Sequence, residues 1–232
     1  MEHTVGTFYG VSVGPGGPEL LTLKALRCIE QCPVLAAPRT TEGRMLALEI
    51  VKGAVDVSGK TILPLHFAMS RDADTLRASH EAAVGAVREA LDAGQDVAML
   101  NLGDVSIYAT YGYLEEILKA QGYPTARIAG VPSFCAAAAA LGRSLTDGME
   151  APLTLAPGRH AEQVLDAPGA KVLMKSGRQL PAALAALRRR GLLEKSAMAC
   201  NCGLPEQTLW PDLSSYDPAR PAGYFTTIIV KE

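Results

Sequence analysis

The sequence predicts an α/β protein in which strands and helices alternate, with mostly parallel sheets that carry helices on their faces. Short apolar runs of strand length recur along the chain, and longer stretches with apolar residues at helical spacing lie between them. Hydrophobic residues make up 48% of the 232 residues and charged residues 20%, which is typical of a folded domain and not of a disordered chain. This length suffices for one large domain or two modest ones.

Strands and helices alternate regularly in the first half of the chain. The predicted strands are Phe8–Val13, Val34–Ala36, Lys60–Phe67 and Asp96–Leu102. The predicted helices are Pro18–Gln31, Thr41–Val55, Arg77–Gly94 and Ile107–Gly122. Glycine ends two of these helices, as it commonly does at a helix C-terminus.

The second half repeats this alternation. Its predicted strands are Thr125–Gly130, Ala151–Gly158, Ala170–Ser176, Ser196–Cys202 and Tyr224–Glu232, and its predicted helices are Val131–Gly142 and Leu180–Gly191. No linker rich in glycine, serine or proline separates the two halves. The helix stop and turn at Gly122-Tyr123-Pro124 therefore sets the predicted boundary between an N-terminal α/β domain, residues 1–124, and a C-terminal α/β domain, residues 125–232.

Charge and cysteine content exclude several classes of protein. A formal net charge of −2 gives no electrostatic reason to expect nucleic acid, and no apolar run approaches the roughly 18 residues of a membrane span. Five cysteines, an odd number, and a start without a secretory pattern favour the reducing cytoplasm. The pairs Cys28/Cys32 and Cys200/Cys202 lack Cys-x2-Cys spacing and a nearby histidine, so we expect buried reduced thiols and no metal site.

The turn "GPGGPE" after the first strand places a glycine-rich segment at the start of a predicted helix. It lacks the Gly-Lys-Ser/Thr ending of a phosphate-binding loop, and Glu19 occupies the third glycine position of a dinucleotide fingerprint. Pro18 has no N–H to donate, and the Glu19 carboxylate lies where a helix N-terminus would otherwise attract an anion. The turn therefore predicts close backbone approach to a ligand without a polyphosphate, although a purely structural turn explains it equally well.

A second turn, "NLGDVSIYAT", follows the buried strand that ends at Leu102. Gly103 permits a ligand to approach the backbone at the carboxyl end of a strand, where open α/β sheets bind their ligands. Asp104 could accept hydrogen bonds from a ligand or complement a cation. Alternatively, Asp104 caps the following helix, with Ser106 as a competing cap. A third turn places Ser133 before a helix of small side chains.

Six segments, in this order, resemble the tetrapyrrole methylase family. They are "YGVSVGPGGPELLTLKALR", "LHFAMSRD", "NLGDVSIYATYGYL", "GVPSFCAAAAALG", "VLMKSGRQLPAALAALRRRGL" and "NCGLPEQTL". The resemblance spans essentially the whole chain and implies two α/β domains, with S-adenosylmethionine bound in a cleft between them, in a homodimer. Within the family, "MSRD", "VLMKSGR" and the ending "YFTTIIVKE" imply methyl transfer to C20 of precorrin-2 or cobalt-factor II.

The resemblance also implies a set of cofactor-binding residues, which would hold the donor mostly through backbone groups. They are Pro15, Leu102, Gly103, Asp104, Ile107, Ser133, Phe134, Lys175 and Gly203. A proton must leave C20 after the transfer, and Asp104 is the predicted catalytic residue because of its position.

A tetrapyrrole that carries many carboxylates calls for cationic partners in the protein. The arginines in or beside predicted loops are the candidates for substrate binding: Arg39, Arg44, Arg71 and Arg178. The sequence leaves two alternatives open. One is a methylase of the same fold that acts at a different ring carbon, and the other is a nucleotide-dependent oxidoreductase, which the missing third glycine disfavours.

Overall fold

The computed structural model describes residues 4–70, 72–217 and 222–231. The chain divides into two compact units, Met1–Pro132 and Ser133–Glu232. Each unit contains one five-stranded sheet. The two α/β domains that the sequence predicts are therefore present.

The first unit contains a sheet in which all neighbouring strands are parallel, in the order β3-β2-β4-β1-β5. Its strands are β1 (Phe8–Val13), β2 (Val34–Pro38), β3 (Thr61–Leu65), β4 (Val97–Leu102) and β5 (Thr125–Ile128), and its helices are α1 (Leu23–Gln31), α2 (Leu46–Val51), α3 (Ala73–Asp92) and α4 (Tyr111–Ala120). The parallel sheet was predicted. Because β5 pairs with β1, this sheet continues beyond the boundary expected after residue 124.

Alternating side chains explain why helices cover both faces of this sheet. On β1, Val11 and Val13 are fully buried in the cluster that α1 and α2 contribute to. Phe8 points to the opposite face and is buried with α3 and α4. Since side chains alternate along a strand, apolar residues at both odd and even positions require a cover on each side.

Three predicted helices begin later than their apolar periodicity suggests, and local hydrogen bonds explain the difference. Pro18–Leu20 forms a separate 3-10 turn, and α1 begins after Thr22, whose hydroxyl accepts a hydrogen bond from the Ala25 N–H at 3.1 Å. Before α2, the Arg44 N–H donates to the Thr40 hydroxyl, which folds residues 40–44 into a turn. Before α4, the chain turns through Tyr108 with φ +50°.

The second unit contains a mixed sheet in the order β6-β7-β10-β8-β9. Its strands are β6 (Leu153–Pro157), β7 (Ala170–Met174), β8 (Ser196–Cys200), β9 (Thr208–Trp210) and β10 (Thr226–Val230), and its helices are α5 (Ser133–Ala140), α6 (Ala161–Val164) and α7 (Leu180–Arg189). Only β6 and β7 are parallel neighbours, because β10 lies between β7 and β8 and runs antiparallel to both. The expectation of mostly parallel strands is thus corrected for this sheet. The short β9 and α6 were not predicted.

Among the described residues, no helix is both long enough and apolar enough to cross a bilayer. The longest, α3, has 20 residues. It carries polar side chains along its exposed face.

Gly10, in the middle of β1, leaves room for the ring of Tyr111, whose hydroxyl lies within hydrogen-bond distance, 3.0 Å, of the carbonyl oxygens of both Phe8 and Ala126. A Cβ at position 10 would lie 2.6 Å from the Tyr111 ring. We expect Gly10→Ala to lower the free energy of unfolding by about 1–3 kcal/mol, because the buried ring must shift. Urea denaturation followed by circular dichroism measures this change.

Gly85 provides the matched control for Gly10→Ala. It lies within α3, and a Cβ there would have no neighbouring atom within 4 Å. Gly85→Ala should leave stability unchanged or raise it by up to about 1 kcal/mol through helix propensity. Equal destabilisation by the two substitutions would contradict the packing argument.

Candidate functional site

The strand order of the first unit marks one point at which a ligand crevice is expected. From β1 the chain passes to β2 on one side, and from β4, the neighbour of β1, it passes to β5 on the other side. The helices that follow β1 and β4 pack on opposite faces of the sheet, α1 on one face and α4 on the other, so the loops at the carboxyl ends of β1 and β4 diverge towards opposite faces. Open parallel sheets bind ligands at the carboxyl ends of strands where the connections diverge in this way.

The loop after β1 offers few hydrogen-bond donors. Pro15 and Pro18 have no N–H, and the N–H of Gly17 donates to the Pro15 carbonyl at 3.1 Å. Pro15 is buried, whereas the Glu19 carboxylate is exposed. This donor set does not suit a polyphosphate.

The loop after β4 begins at Gly103, which is buried and has φ +76°. Its N–H donates to the Val13 carbonyl at 2.9 Å and so joins the ends of β4 and β1. Leu102 and Ile107 on either side are partly exposed. Four of the predicted cofactor residues therefore lie at the expected crevice: Leu102 at the end of β4, and Gly103, Asp104 and Ile107 in the loop after it.

Both carboxylate oxygens of Asp104 accept hydrogen bonds from other groups of the protein. Oδ1 accepts hydrogen bonds from the N–H of Ser106 at 2.8 Å and from the Ser106 hydroxyl, and Oδ2 accepts one from the N–H of Gly130 at 2.8 Å. The carboxylate thus ties the loop after β4 to the loop after β5. It does not cap α4, whose N-cap residue is Thr110, so the helix-capping alternative is wrong.

These contacts change the acidity of Asp104. Partial burial alone would raise its pKa, but the hydrogen bonds from Gly130 and Ser106 and the positive charge of Arg127 outweigh burial and lower the pKa. Asp104 therefore stays ionised at neutral pH. Its negative charge suits a nearby cation.

Ser12 supports the same loop and was not singled out from the sequence. Its buried hydroxyl accepts a hydrogen bond from the Val105 N–H at 2.9 Å. A Cβ at Gly130 would lie 2.3 Å from the Ser12 Cβ, so the loop after β5 also packs against this side chain. A single polar residue in the otherwise apolar run "GVSVG" was the available signal, because a buried hydroxyl needs a hydrogen-bond partner.

In the second unit, β7 and β8 both run antiparallel to β10, so their carboxyl ends lie at the same edge of the sheet. Lys175 follows β7 with φ +52°, and Asn201 follows β8 with φ +50°. Positive φ at non-glycine residues is uncommon and often occurs at functional sites. The predicted residues Lys175 and Gly203 thus lie in the two loops that leave this edge.

The environment of Lys175 lowers its pKa, firstly through desolvation by surrounding protein atoms and secondly through the positive charge of Arg159. Its side chain nevertheless retains exposed surface. The N–H of Gly203 donates to the Gln207 side chain at 2.7 Å. Of the remaining predicted cofactor residues, Ser133 begins α5 and is partly exposed, and Phe134 is 7% exposed.

The arginines predicted to bind substrate have different surroundings. Arg39 is exposed and directly follows β2, and Arg178 is exposed in the 3-10 turn after β7. Arg44 lies in the turn before α2 and forms an exposed ion pair with Glu49 at 2.9 Å. Arg71 lies outside the described residues.

The described part of the chain contains no group of three or more histidine, cysteine or acidic side chains placed to hold a metal ion. All five cysteines are free thiols. Cys28, Cys32 and Cys200 are buried, as expected, whereas Cys202 is partly exposed and Cys135 is exposed.

Several curated proteins resemble this chain over most of its length. The "Probable cobalt-precorrin-2 C(20)-methyltransferase" of Methanocaldococcus jannaschii is 34% identical over 76% of this chain and 75% of its own. The cobalt-precorrin-2 C(20)-methyltransferase of Salmonella typhimurium is 31% identical over 98% of this chain and 97% of its own. The precorrin-2 C(20)-methyltransferase of a Sinorhizobium species is 30% identical over 97% of this chain and 95% of its own.

Solved structures show the same fold. The uroporphyrin-III C-methyltransferase of Thermus thermophilus, crystallised with the S-adenosyl homocysteine ligand, superposes with a TM-score of 0.71 over 98% of each chain, at 19% identity. Residues 7–215 match the family model for Tetrapyrrole (Corrin/Porphyrin) Methylases. The chain therefore belongs to the tetrapyrrole methylase family.

Proposed function

We propose that this protein transfers a methyl group from S-adenosylmethionine to C20 of precorrin-2, or of its cobalt complex, in the biosynthesis of cobalamin. The observation that carries this proposal is similarity over nearly the whole chain to two relatives named for that reaction, at 31% and 30% identity. Family membership supports a tetrapyrrole as the substrate class.

The residues at the end of β4 fit S-adenosylmethionine, which supplies a methyl group activated by a positively charged sulfur. Gly103 adds no side chain at the end of β4. Asp104 is an ionised carboxylate in the same loop, and the proline-rich loop after β1 lacks the N–H groups that a phosphate needs. Backbone groups near Leu102 and Ile107 would orient the donor, so side-chain identity matters less there.

The transfer needs no covalent nucleophile from the protein, because the acceptor carbon of a reduced tetrapyrrole is itself electron-rich. The protein contributes by aligning donor and acceptor and by excluding water, and such positioning is worth about 7–11 kcal/mol in favourable cases. Lys175 and Gly203 in the second unit complete the set of donor-binding residues in this proposal. The cleft that the resemblance places between the domains stays a prediction.

Asp104 has a double role in the proposal. Its hydrogen bonds to Ser106 and Gly130 hold two loops in place. In its second role, Asp104 accepts the proton that leaves C20. Its lowered pKa makes the carboxylate a weak base for this step.

Arg39, Arg44 and Arg178 are the proposed partners of the acetate and propionate groups of the substrate, since guanidinium groups bind carboxylates in a bidentate manner. The side chains of Arg39 and Arg178 are exposed, so a substrate carboxylate can reach them. Arg44 would share its guanidinium between Glu49 and a substrate carboxylate.

Methyl transfer with a ¹³C-labelled donor tests the proposed function. The protein should convert precorrin-2, or its cobalt complex, into a product whose labelled carbon is attached to C20 in the NMR spectrum. Comparison of kcat/KM for the two acceptors identifies the natural one. Label at another ring carbon would instead support the alternative methylase of the same fold.

Homodimerisation is part of the proposal and follows from the family resemblance. Light scattering on the purified protein should give the mass of two chains at micromolar concentration, and the mass of a single chain would contradict it.

The five free thiols support a reducing compartment such as the cytoplasm.

A further inference from the structure

A cationic cluster lies at the carboxyl edge of the second sheet, where β6 and β7 end side by side. The two strands are parallel and pair Pro157 with Met174 at their ends. Arg159 comes two residues after this pair on one strand, and Lys175 comes one residue after it on the other. The strand register therefore places the segments that carry the two cations side by side, and the charge of Arg159 acts on Lys175.

The backbone between them is packed so closely that position 158 requires glycine. A Cβ at Gly158 would lie 2.9 Å from the Cα of Ser176 and 2.5 Å from its hydroxyl. Ser176 is fixed in turn, since its buried hydroxyl donates to the Leu173 carbonyl at 2.9 Å. This contact holds the chain segments that carry Arg159 and Lys175 against each other.

Neighbouring side chains orient the Arg159 guanidinium. Its Nε–H donates to Nε2 of His160 at 3.0 Å, and Nδ1 of that imidazole lies 2.6 Å from the Gln163 side-chain oxygen. Because Nε2 accepts, the proton of the neutral imidazole is on Nδ1 and is donated to Gln163. The hydrogen bond from Nε leaves both terminal nitrogens of Arg159 available to a ligand.

The nearby acidic side chains have other partners. Glu162 pairs with Arg189 and, at 2.9 Å, with Arg190, and Asp166 pairs with Arg190 at 2.7 Å. In residues 4–70, 72–217 and 222–231, no carboxylate forms an ion pair with Arg159. The positive charge of Arg159 also contributes to the lowered pKa of Lys175, after desolvation, so an anion bound there would relieve this repulsion.

We propose that Arg159 and Lys175 together form a carboxylate-binding site at this edge of the second sheet. The inference rests on the proposed function, which offers two sources of the carboxylate: an acetate or propionate group of the tetrapyrrole, and the methionyl carboxylate of the methyl donor. Arg159 was not among the residues predicted from the sequence, and it adds a specificity residue to the proposed reaction. A planar guanidinium beside an ammonium group is suited to a carboxylate, which accepts two parallel hydrogen bonds.

Arg159→Gln tests the site, with binding as the readout. Two affinities are measured: that of S-adenosylhomocysteine by calorimetry, and that of uroporphyrin III, a stable tetrapyrrole with carboxylate side chains, by fluorescence titration. We expect one of them to fall by at least about tenfold, and the one that falls identifies the source of the carboxylate. Arg159→Lys, which keeps the charge, should recover part of that loss.

Arg188→Gln is the matched control, because Arg188 is exposed on α7 in the same unit and is not part of the cluster. It should leave both affinities unchanged. If Arg159→Gln alters neither affinity by more than about twofold, the carboxylate site is refuted. Failure of the unaltered protein to bind S-adenosylhomocysteine and to transfer a methyl group would instead refute the proposed function.

Discussion

Gly103→Val is expected to lower the affinity for S-adenosylhomocysteine by at least about 100-fold, which corresponds to about 2.7 kcal/mol. Gly103 has φ +76°, a region that β-branched residues avoid. The added side chain would also occupy the space through which the donor approaches the backbone at the end of β4. Isothermal titration calorimetry measures the loss directly.

Gly122→Val separates backbone strain from occlusion of the site. Gly122 has φ +87°, and a Cβ there would meet no atom within 4 Å. The substitution should therefore destabilise the protein through backbone strain but leave the affinity for S-adenosylhomocysteine unchanged. Near-normal affinity in the Gly103→Val protein, if it remains folded by circular dichroism, would show that the end of β4 does not bind the donor.

Asp104→Ala is expected to cause the second largest effect. It leaves the N–H groups of Gly130 and Ser106 without their acceptor. Loss of such charge-assisted hydrogen bonds costs about 1.5–3 kcal/mol. We therefore expect a lower free energy of unfolding together with weaker donor binding, measured by urea denaturation and calorimetry.

Asp104→Asn distinguishes loop positioning from proton acceptance. The amide retains one oxygen acceptor but cannot take up a proton, so kcat should fall by roughly 100-fold or more if Asp104 is the base. If Asp104 only positions the loops, the asparagine variant should keep most of the activity that the alanine variant loses. Equal donor affinity and equal kcat in all three proteins would exclude both roles.

The stability that Asp104 contributes should also depend on pH with a defined sign. Its pKa is lowered in the folded protein, so its contribution is fully present above the unfolded value of about 3.9 and is lost as the pH falls through the folded value. The difference in unfolding free energy between the unaltered protein and Asp104→Asn should thus be constant between about pH 5 and 8 and shrink in acid.

The sequence predicts the elements of the first unit well because its strands are short apolar runs bounded by glycine and proline turns. β1 has the predicted bounds, Phe8–Val13, and the parallel sheet follows from the helix between each pair of strands. Strand direction in the second sheet could not be predicted in the same way. An apolar run at β10 has the same appearance whether the strand runs parallel or antiparallel to its neighbours.

Turns were more informative than charges about the candidate site. Gly103 and Asp104 stood out because they directly follow a buried strand, at the end where open α/β sheets bind their ligands. Ser12 and Arg159 were not singled out from the sequence, because the Ser12 contact joins residues distant along the chain and the proposed role of Arg159 depends on strand register. Arginines in predicted loops were less specific, because exposure alone does not indicate a ligand.

A crystal structure of the protein with S-adenosylhomocysteine tests most directly the claim that backbone groups at the ends of β1 and β4 hold the methyl donor. We predict that the homocysteine portion lies within hydrogen-bond distance of main-chain atoms of residues 102–107. A ligand bound elsewhere on the surface, or none at millimolar concentration, would contradict it.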